Sequence, residues 1–275
     1  MPEPERLSYR AVAAALGSLL GPVPDERAPR EVAVRYRHPS PRGVAPLLDV
    51  YAPARPRGDG ASLLIVHGGG FFIGSRRMKP ARLLASRLSD AGLAVASLDY
   101  RMILRGGRLD ESVDDVGAAL RFWRAGCAAR SLSRERVSML GLSAGATLTL
   151  LAAAAPDARL HRVVSCFGLY ELDHLHGPLA SVLPRLLFRT RDRARWAARS
   201  PRGAAQTASP TLLLHGTADG LVPVSQARRL DARRRELGLD TRLVEFEGAP
   251  HGFFNDDNPH AARALEEIRL HLGET

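Results

Sequence analysis

The stretch RVSMLGLSAGATLTL, residues 136–150, decides how this chain is read. A mostly apolar run enters Gly141, Leu142, Ser143, Ala144 and Gly145, and a run of small and apolar residues leaves them. That pattern predicts a buried strand, a sharp turn and a helix. A G-x-S-x-G turn in this setting forces the serine backbone into a strained conformation and lifts the hydroxyl out of the turn. The positions two before and two after the serine crowd each other, so both must be small. Gly141 and Gly145 meet that demand. Ala144 keeps the turn uncrowded, and its N–H at the helix start is free to face an anion. The pentapeptide alone also fits a plain structural turn. A serine hydroxyl is a poor nucleophile near neutral pH. The sharper reading therefore needs a base, a group that orients the base, and donors for an oxyanion elsewhere in the chain.

Working outward, residues 32–37 (VAVRYR) and 47–51 (LLDVY) alternate like strands around a Pro/Gly-rich loop. SLLIVHGGG at 62–70 is a continuous apolar run closing in glycines, which fits a strand buried on both faces. Helical spacing over 80–91 precedes the next buried strand, LAVASLDY at 93–100. Val113, Val116, Leu120 and Trp123 predict a helix over 111–126. Further strands are expected at 162–170, 210–216 and 241–248, with helices at 223–237 and 259–272. Strands alternating with helices imply a mostly parallel central sheet flanked by helices on both faces, a single α/β domain over 1–275. Residues 171–205 break the alternation and are read as a small helical cap inserted after the sixth strand. Residues 1–30 are read as an N-terminal helix over 5–19, ending at Gly21-Pro22, and a linker.

Ligands of such sheets bind at the carboxyl ends of the strands. The unusual residues of this chain fall there. In HGGGFFIGS (67–75) three glycines let the backbone approach a ligand closely. The N–H groups of Gly69 and Gly70, with that of Ala144, are the candidate oxyanion hole. His67 is expected to brace this loop through a hydrogen bond rather than act as a base. In HGTADGLVP (215–223), Asp219 is placed to orient a histidine, although Asp219-Gly220 also reads as an ordinary turn. In GAPHGFFNDDNP (248–259), His251 lies between the last strand and the last helix. The chain order Ser143, Asp219, His251 is the one expected for this kind of elbow. His215 and His260 are less suitable bases, and Asp256 and Asp257 follow the histidine and are out of order. The cap is expected to line the substrate pocket together with Phe71, Phe72 and Phe253, or its neighbour Phe254.

Composition bounds the partners. The 275 residues are 45% hydrophobic and 25% charged, as for a globular domain. No apolar run is long enough for a membrane span. The apolar stretch 11–20 follows Glu3 and Glu5 and lacks a small-x-small cleavage site, so a surface helix is expected there rather than an export signal. Cys127 and Cys166 have no metal or CxxC spacing, and a cytoplasmic protein is expected. Lys79 is the only lysine behind the net charge of +10. The arginines run along the whole chain with no nucleic-acid-binding motif, so they are read as solvated faces. DHLH at 173–176 supplies too few convergent ligands for a metal. No metal or organic cofactor is required. The expected partner is a small molecule, and a homodimer is an allowed assembly.

With HGGGF, LDYR at 98–101, GLSAG, HGTADGLVP and HGF at 251–253 in hand, residues 45–273 resemble the α/β-hydrolase superfamily. Within it, the chain is similar to the hormone-sensitive-lipase-like, carboxylesterase-type serine hydrolases. The resemblance implies Ser143 as nucleophile, His251 as base, Asp219 as orienting acid, and Gly69, Gly70 and Ala144 as oxyanion donors. It implies that Asp99, Tyr100 and Arg101 support the site from beneath. The implied reaction is hydrolysis of small-molecule carboxylic esters through an acyl-enzyme; short acyl chains are favoured because few large cavities are predictable from the sequence. One departure follows LDYR: the chain reads MILRGGRLDES where many relatives carry an LAPE…FPA segment. Aryl formamidases, polysaccharide deacetylases and amidases use the same elbow, so they stay open as alternatives. A non-catalytic ligand-binding protein on the same fold is the alternative from another class.

Overall fold

Among the described residues, five strands have no solvated face, and they form the middle of one eight-stranded sheet. They are β3 (Ser62–Val66), β4 (Ala94–Leu98), β5 (Val137–Leu142), β6 (Val163–Cys166) and β7 (Thr211–Gly216). The outer strands are β1 (Glu31–Arg35), β2 (Leu47–Tyr51) and β8 (Thr241–Phe246). The order across the sheet is β1-β2-β4-β3-β5-β6-β7-β8. The β1–β2 and β2–β4 pairs are antiparallel and the rest are parallel. The structure, a computed structural model, describes residues 19, 21–38, 45–175, 182–256 and 258–273. The helix expected over 5–19 lies almost entirely outside the described residues.

Alternation along β3 shows how the sheet divides the interior. Leu64 and Val66 join one apolar core, with Val116, Leu120 and Trp123 of α2 (Leu109–Ala125), Leu148 of α3 (Ala144–Ala153) and Leu230. Leu63 and Ile65 join the other, with Leu84 and Leu88 of a helix over Lys79–Asp90, here α1, and Ile268 near the chain's end. Two shorter helices follow β6, α4 (Val182–Phe188) and α5 (Arg193–Arg199). After β7 comes α6 (Ser225–Glu236), which carries Leu230, and after β8 comes α7 (Pro259–His271), which carries Ile268. Helix α7 starts where its proline predicts, with the Asn258 side chain accepting from Ala261 N–H at 3.0 Å.

Strand β3 lies between β4 and β5, so successive connections leave it to opposite sides. That reversal opens a crevice at the carboxyl ends of β3 and β5. β3 delivers the HGGG loop there, and β5 delivers the serine turn.

The region between β6 and β7 is anchored at both ends. The buried Glu171 carboxylate accepts from Arg229 Nε at 2.6 Å and pairs with Arg202 Nη1 at 3.1 Å. Ser200 Oγ accepts from Leu172 N–H at 2.9 Å. Leu183 and Leu187 of α4 bury in the same core as Met102 and Ile103, and Arg199 of α5 pairs with Asp110 at the start of α2. The strand expected over 162–170 ends at Cys166 because Phe167 turns to φ 41°, which a strand does not allow.

Trp123 is fully buried, and its indole N–H donates to Ser62 Oγ at 3.0 Å. Trp123→Ala is expected to lower the unfolding free energy by about 3–5 kcal/mol. Ser62→Ala, which leaves the indole N–H unpartnered, is expected to cost about 1–3 kcal/mol. Urea denaturation of both variants checks the order of the two losses.

Candidate active site

The serine turn is tight because nothing else fits. A Cβ on Gly145 would lie 2.2 Å from Val66 O and 2.4 Å from His67 O. One on Gly141 would lie 2.3 Å from Gly145 O. Both positions therefore demand glycine, and α3 packs its first turn directly onto the end of β3. Ser143 is left at φ 51°, ψ −117°, a strained conformation for a residue with a side chain. Its N–H donates to Cys166 O at 2.9 Å, and its carbonyl accepts from Ala146 N–H, so the turn is held from both sides.

The glycine loop faces this turn. A Cβ on Gly68 would lie 3.3 Å from Ser143 Cβ. Gly69 is at φ 118°, where a Cβ would strike Ile73 O, and its carbonyl accepts from the N–H groups of Phe72 and Ile73, each at 3.1 Å. Among the described residues, the N–H groups of Gly69, Gly70 and Ala144 donate to no protein acceptor. His67 braces the loop as expected. Its Nδ1–H donates to Gly68 O at 2.7 Å, and its ring stacks on Tyr100 at 4.4 Å. Burial pushes the His67 imidazole down, so the ring stays neutral. Tyr100 O–H in turn donates to His67 O at 3.0 Å.

Asp99 grips the far end of the loop. Its Oδ1 accepts from Arg76 N–H at 2.6 Å, and its Oδ2 pairs with the Arg76 guanidinium. Arg76 Nε lies 2.8 Å from Oδ1 of the buried Asp49. Burial opposes the Asp49 charge, but Ala33 N–H, Arg76 and Arg77 outweigh it and hold that carboxyl below its ordinary range. Arg101 pairs with the buried Asp115 instead, at 2.8 Å.

The acid and the histidine arrive on the loops after β7 and β8. Gly216 lets these loops touch, because a Cβ there would lie 2.1 Å from Ala249 O. Two backbone bonds tie them further: Thr217 N–H to Phe246 O at 2.9 Å and Ala218 N–H to Ala249 O at 3.1 Å. The result is a connected line. His251 Nδ1 lies 2.7 Å from Asp219 Oδ2, and His251 Nε2 lies 2.9 Å from Ser143 Oγ. A carboxylate only accepts, so Nδ1 carries the proton, and a neutral imidazole then accepts from the serine hydroxyl through Nε2. Burial raises the Asp219 carboxyl, but hydrogen bonds from His215, His251 and Val222 N–H prevail and hold it far below the usual carboxylate range. Of the rejected alternatives, Asp256 pairs with Lys79 at 3.0 Å, His260 sits in α7, and Asp257 lies outside the described residues.

The pocket expectation needs correction. Phe71 and Phe253 are 0% and 2% exposed and fill the two apolar cores. Phe71 takes φ 69°, and Phe253 packs between Phe246 and Phe254. Neither has a free face to offer an acyl chain, and of the three only Phe72 is partly exposed. Two neighbours of the site were not singled out from the sequence for these roles. Phe167 sets its ring against the His251 ring, edge-on at 5.0 Å. His215, considered only as a base, places Nε2 3.2 Å from Asp219 Oδ2. Its spacing of four residues from Asp219 was the available signal.

Residues 48–233 match the BD-FAE family. The chain is 30% identical to Esterase LipC of Mycobacterium tuberculosis, over 84% of this chain and 62% of that protein. It is 26% identical to a probable isoprenylcysteine alpha-carbonyl methylesterase, ICME, of Oryza sativa subsp. japonica, over 74% of this chain and 54% of that protein. The chain thus spans less than two thirds of the length of either relative. Among solved structures, Thermogutta terrifontis esterase 2 phosphonylated by sarin superposes with a TM-score of 0.74 at 25% identity, covering 92% of this chain and 98% of that one. A truncated carbohydrate esterase from gut microbiota superposes at 0.77, over 92% and 99%, at 20% identity. The chain belongs to the BD-FAE family, and its fold is that of the carboxylesterase-type serine hydrolases of the α/β-hydrolase superfamily.

Proposed function

We propose that this protein hydrolyses carboxylic esters of short acyl chains, with Ser143 as nucleophile, His251 as base and Asp219 as orienting acid. The observation that carries the reading is the unbroken line from Asp219 Oδ2 through His251 to Ser143 Oγ, with bonds of 2.7 and 2.9 Å. His251 Nε2 takes the hydroxyl proton as Oγ attacks the ester carbonyl. The forming imidazolium is stabilised by Asp219, which its hydrogen-bond donors keep ionised against the cost of burial. The oxyanion is received by the N–H groups of Gly69, Gly70 and Ala144, which have no protein acceptor among the described residues. His251 then returns the proton to the leaving alcohol, and water attacks the acyl-enzyme by the same route.

Short acyl groups suit a site whose aromatic floor is already filled. Phe71 and Phe253 are packed into the cores, and the Phe167 ring closes against His251. The α4–α5 insertion is the proposed cap on the acyl side. The similarity to an esterase and to a probable methylesterase supports an ester rather than an amide. A structural neighbour phosphonylated by sarin supports an activated nucleophile. Cytoplasmic residence is proposed from Cys127 and Cys166, both buried as free thiols.

Ser143→Ala is expected to lower kcat on a p-nitrophenyl acyl ester by at least about a thousandfold and to abolish fluorophosphonate labelling. Near-parental turnover in that variant would sink the assignment. Asp219→Asn is expected to lower kcat by about ten-thousandfold while leaving the serine–histidine contact in place, because the histidine loses the partner that fixes its tautomer. Stopped assays at saturating ester measure this.

The two loop glycines should differ. A Cβ on Gly69 would lie 1.8 Å from Ile73 O, whereas one on Gly70 meets nothing within 4 Å. Gly69→Ala is expected to cost about a hundredfold or more in kcat/KM by displacing the oxyanion donors. Gly70→Ala carries only the left-handed backbone penalty of about 1–2 kcal/mol, so its loss is the smaller. Equal losses in kcat/KM for the two variants would contradict the proposed loop geometry.

A further inference from the structure

Asp219 holds more donors than an orienting carboxylate requires. Its Oδ1 accepts from the N–H groups of Leu221 at 2.9 Å and Val222 at 2.7 Å. Its Oδ2 faces two imidazoles, His251 Nδ1 at 2.7 Å and His215 Nε2 at 3.2 Å. His215 is fully buried at the end of β7. Its Nε2 also lies 2.9 Å from Val222 O. A carbonyl oxygen only accepts, so His215 Nε2 carries the proton and shares it between Val222 O and Asp219 Oδ2. The other ring nitrogen, Nδ1, is buried and has no hydrogen-bond partner among the described residues. A proton on Nδ1 would be a buried donor without an acceptor, which is costly. Geometry therefore fixes this ring as its Nε2–H tautomer.

Resting on the acyl-transfer reading of the site, we propose that His215 is a positioning residue whose Nε2–H competes with His251 for Asp219 Oδ2. The competition has two effects. It pins the carboxylate plane, because each oxygen then has two fixed donors. It also spends part of the Oδ2 charge on His215, which limits how strongly Asp219 stabilises the His251 imidazolium. A brace for the 216–222 loop alone would need only the Val222 O bond.

The other titratable groups around this pair do not compete for the role. Ser143 lies on the far side of His251, on the β5–α3 turn. Tyr170, after β6, is pushed up by burial, with the Asp219 charge adding to the effect, and its hydroxyl is engaged with Ser165 at 2.9 Å. Cys166, at the end of β6, is pushed up by burial. Glu245 of β8 sits across from His215 in the sheet register, and its pairing with Arg228 holds it below the ordinary range.

The test is the pH dependence of kcat/KM for the parent, His215→Leu and His215→Gln on one short-acyl aryl ester, with thermal melts to confirm folding. Glutamine sets an N–H donor near the Nε2 position, and leucine sets none. His215→Leu is expected to lower kcat by about tenfold with KM unchanged, the scale of one hydrogen bond to a charged group. The acid limb is expected to move up by about half a unit to one unit, because Asp219 then stabilises the His251 imidazolium more strongly. His215→Gln is expected to return the limb toward the parent. A purely structural residue would lower activity or melting temperature without moving the limb. An acid limb left in place by His215→Leu, or moved equally by both variants, overturns the inference. Should the leucine variant not fold, ¹⁵N imidazole spectra of the parent decide: the Nε2–H tautomer at His215 supports the inference, and the Nδ1–H tautomer overturns it. Parent turnover that survives Ser143→Ala refutes the acyl-transfer reading and this inference with it. Ser143-dependent turnover with an unmoved limb refutes this inference alone.

Discussion

The seating of the first turn of α3 on the end of β3 is the contact on which the rest of the site depends. Sheet register places Val66 beside Gly141, so the β5 strand ends level with the start of the glycine loop. The turn after β5 must then reverse within the width of one strand. It can do so only where Gly145 slides past the carbonyls of Val66 and His67, at a separation that excludes any side chain. The same contact draws Gly68 to within van der Waals range of Ser143. Serine turn and glycine loop are therefore positioned by one packing event, not by two independent loops.

That contact stores strain, and the surrounding structure holds it. Ser143, Phe71 and Phe167 all take positive φ without being glycine, and all three border the crevice. Each such residue costs of order 1–3 kcal/mol. The offset comes from what flanks them. Phe71 is buried in one core and its carbonyl accepts from Ile103 N–H at 2.8 Å, while Phe167 is buried against Phe253. Asp99 and Asp49 close on Arg76 just beyond the glycine loop, so the loop cannot relax by sliding outward. A buried pair of this kind is weak evidence for stability, but removing one partner leaves a buried charge, which makes the clamp hard to open.

Much of this was legible in the sequence because the constraints are steric and directional. Parallel strands covered on both faces read as unbroken apolar runs, and glycines two residues either side of a serine mark a turn that tolerates nothing larger. Where the same residue type serves two purposes, the sequence was silent. Phenylalanines after HGG fit a pocket wall and a core equally well. In the structure Phe71, at a positive φ, and Phe253 are both buried in the cores. The early end of β6 follows from the positive φ at Phe167. His215 is a case of position rather than type. Its four-residue spacing from Asp219 was visible, but the contact exists only because the 216–222 loop folds back to set Val222 O and Asp219 Oδ2 on one side of the ring.

The site is best understood as two rigid halves that meet at a single hydrogen bond. One half is β3, β5 and the start of α3, which together fix Ser143 and the glycine loop. The other is the pair of loops after β7 and β8, locked to each other through Gly216, Thr217 and Ala218. Within that second half, His251 Nδ1 and Asp219 Oδ2 are 2.7 Å apart. Strand β6 lies between the halves. It joins them by the Ser143 N–H bond to Cys166 O on one side and by Phe167 N–H to Leu214 O, at 2.7 Å, on the other. The Phe167 ring then rests on His251. Errors in either half are thus not averaged out by flexible side chains. They appear directly in the 2.9 Å gap between His251 Nε2 and Ser143 Oγ. Positioning effects on catalysis are steep at that scale, so residues outside the Asp219–His251–Ser143 line, such as Gly216 and Phe167, also carry its geometry.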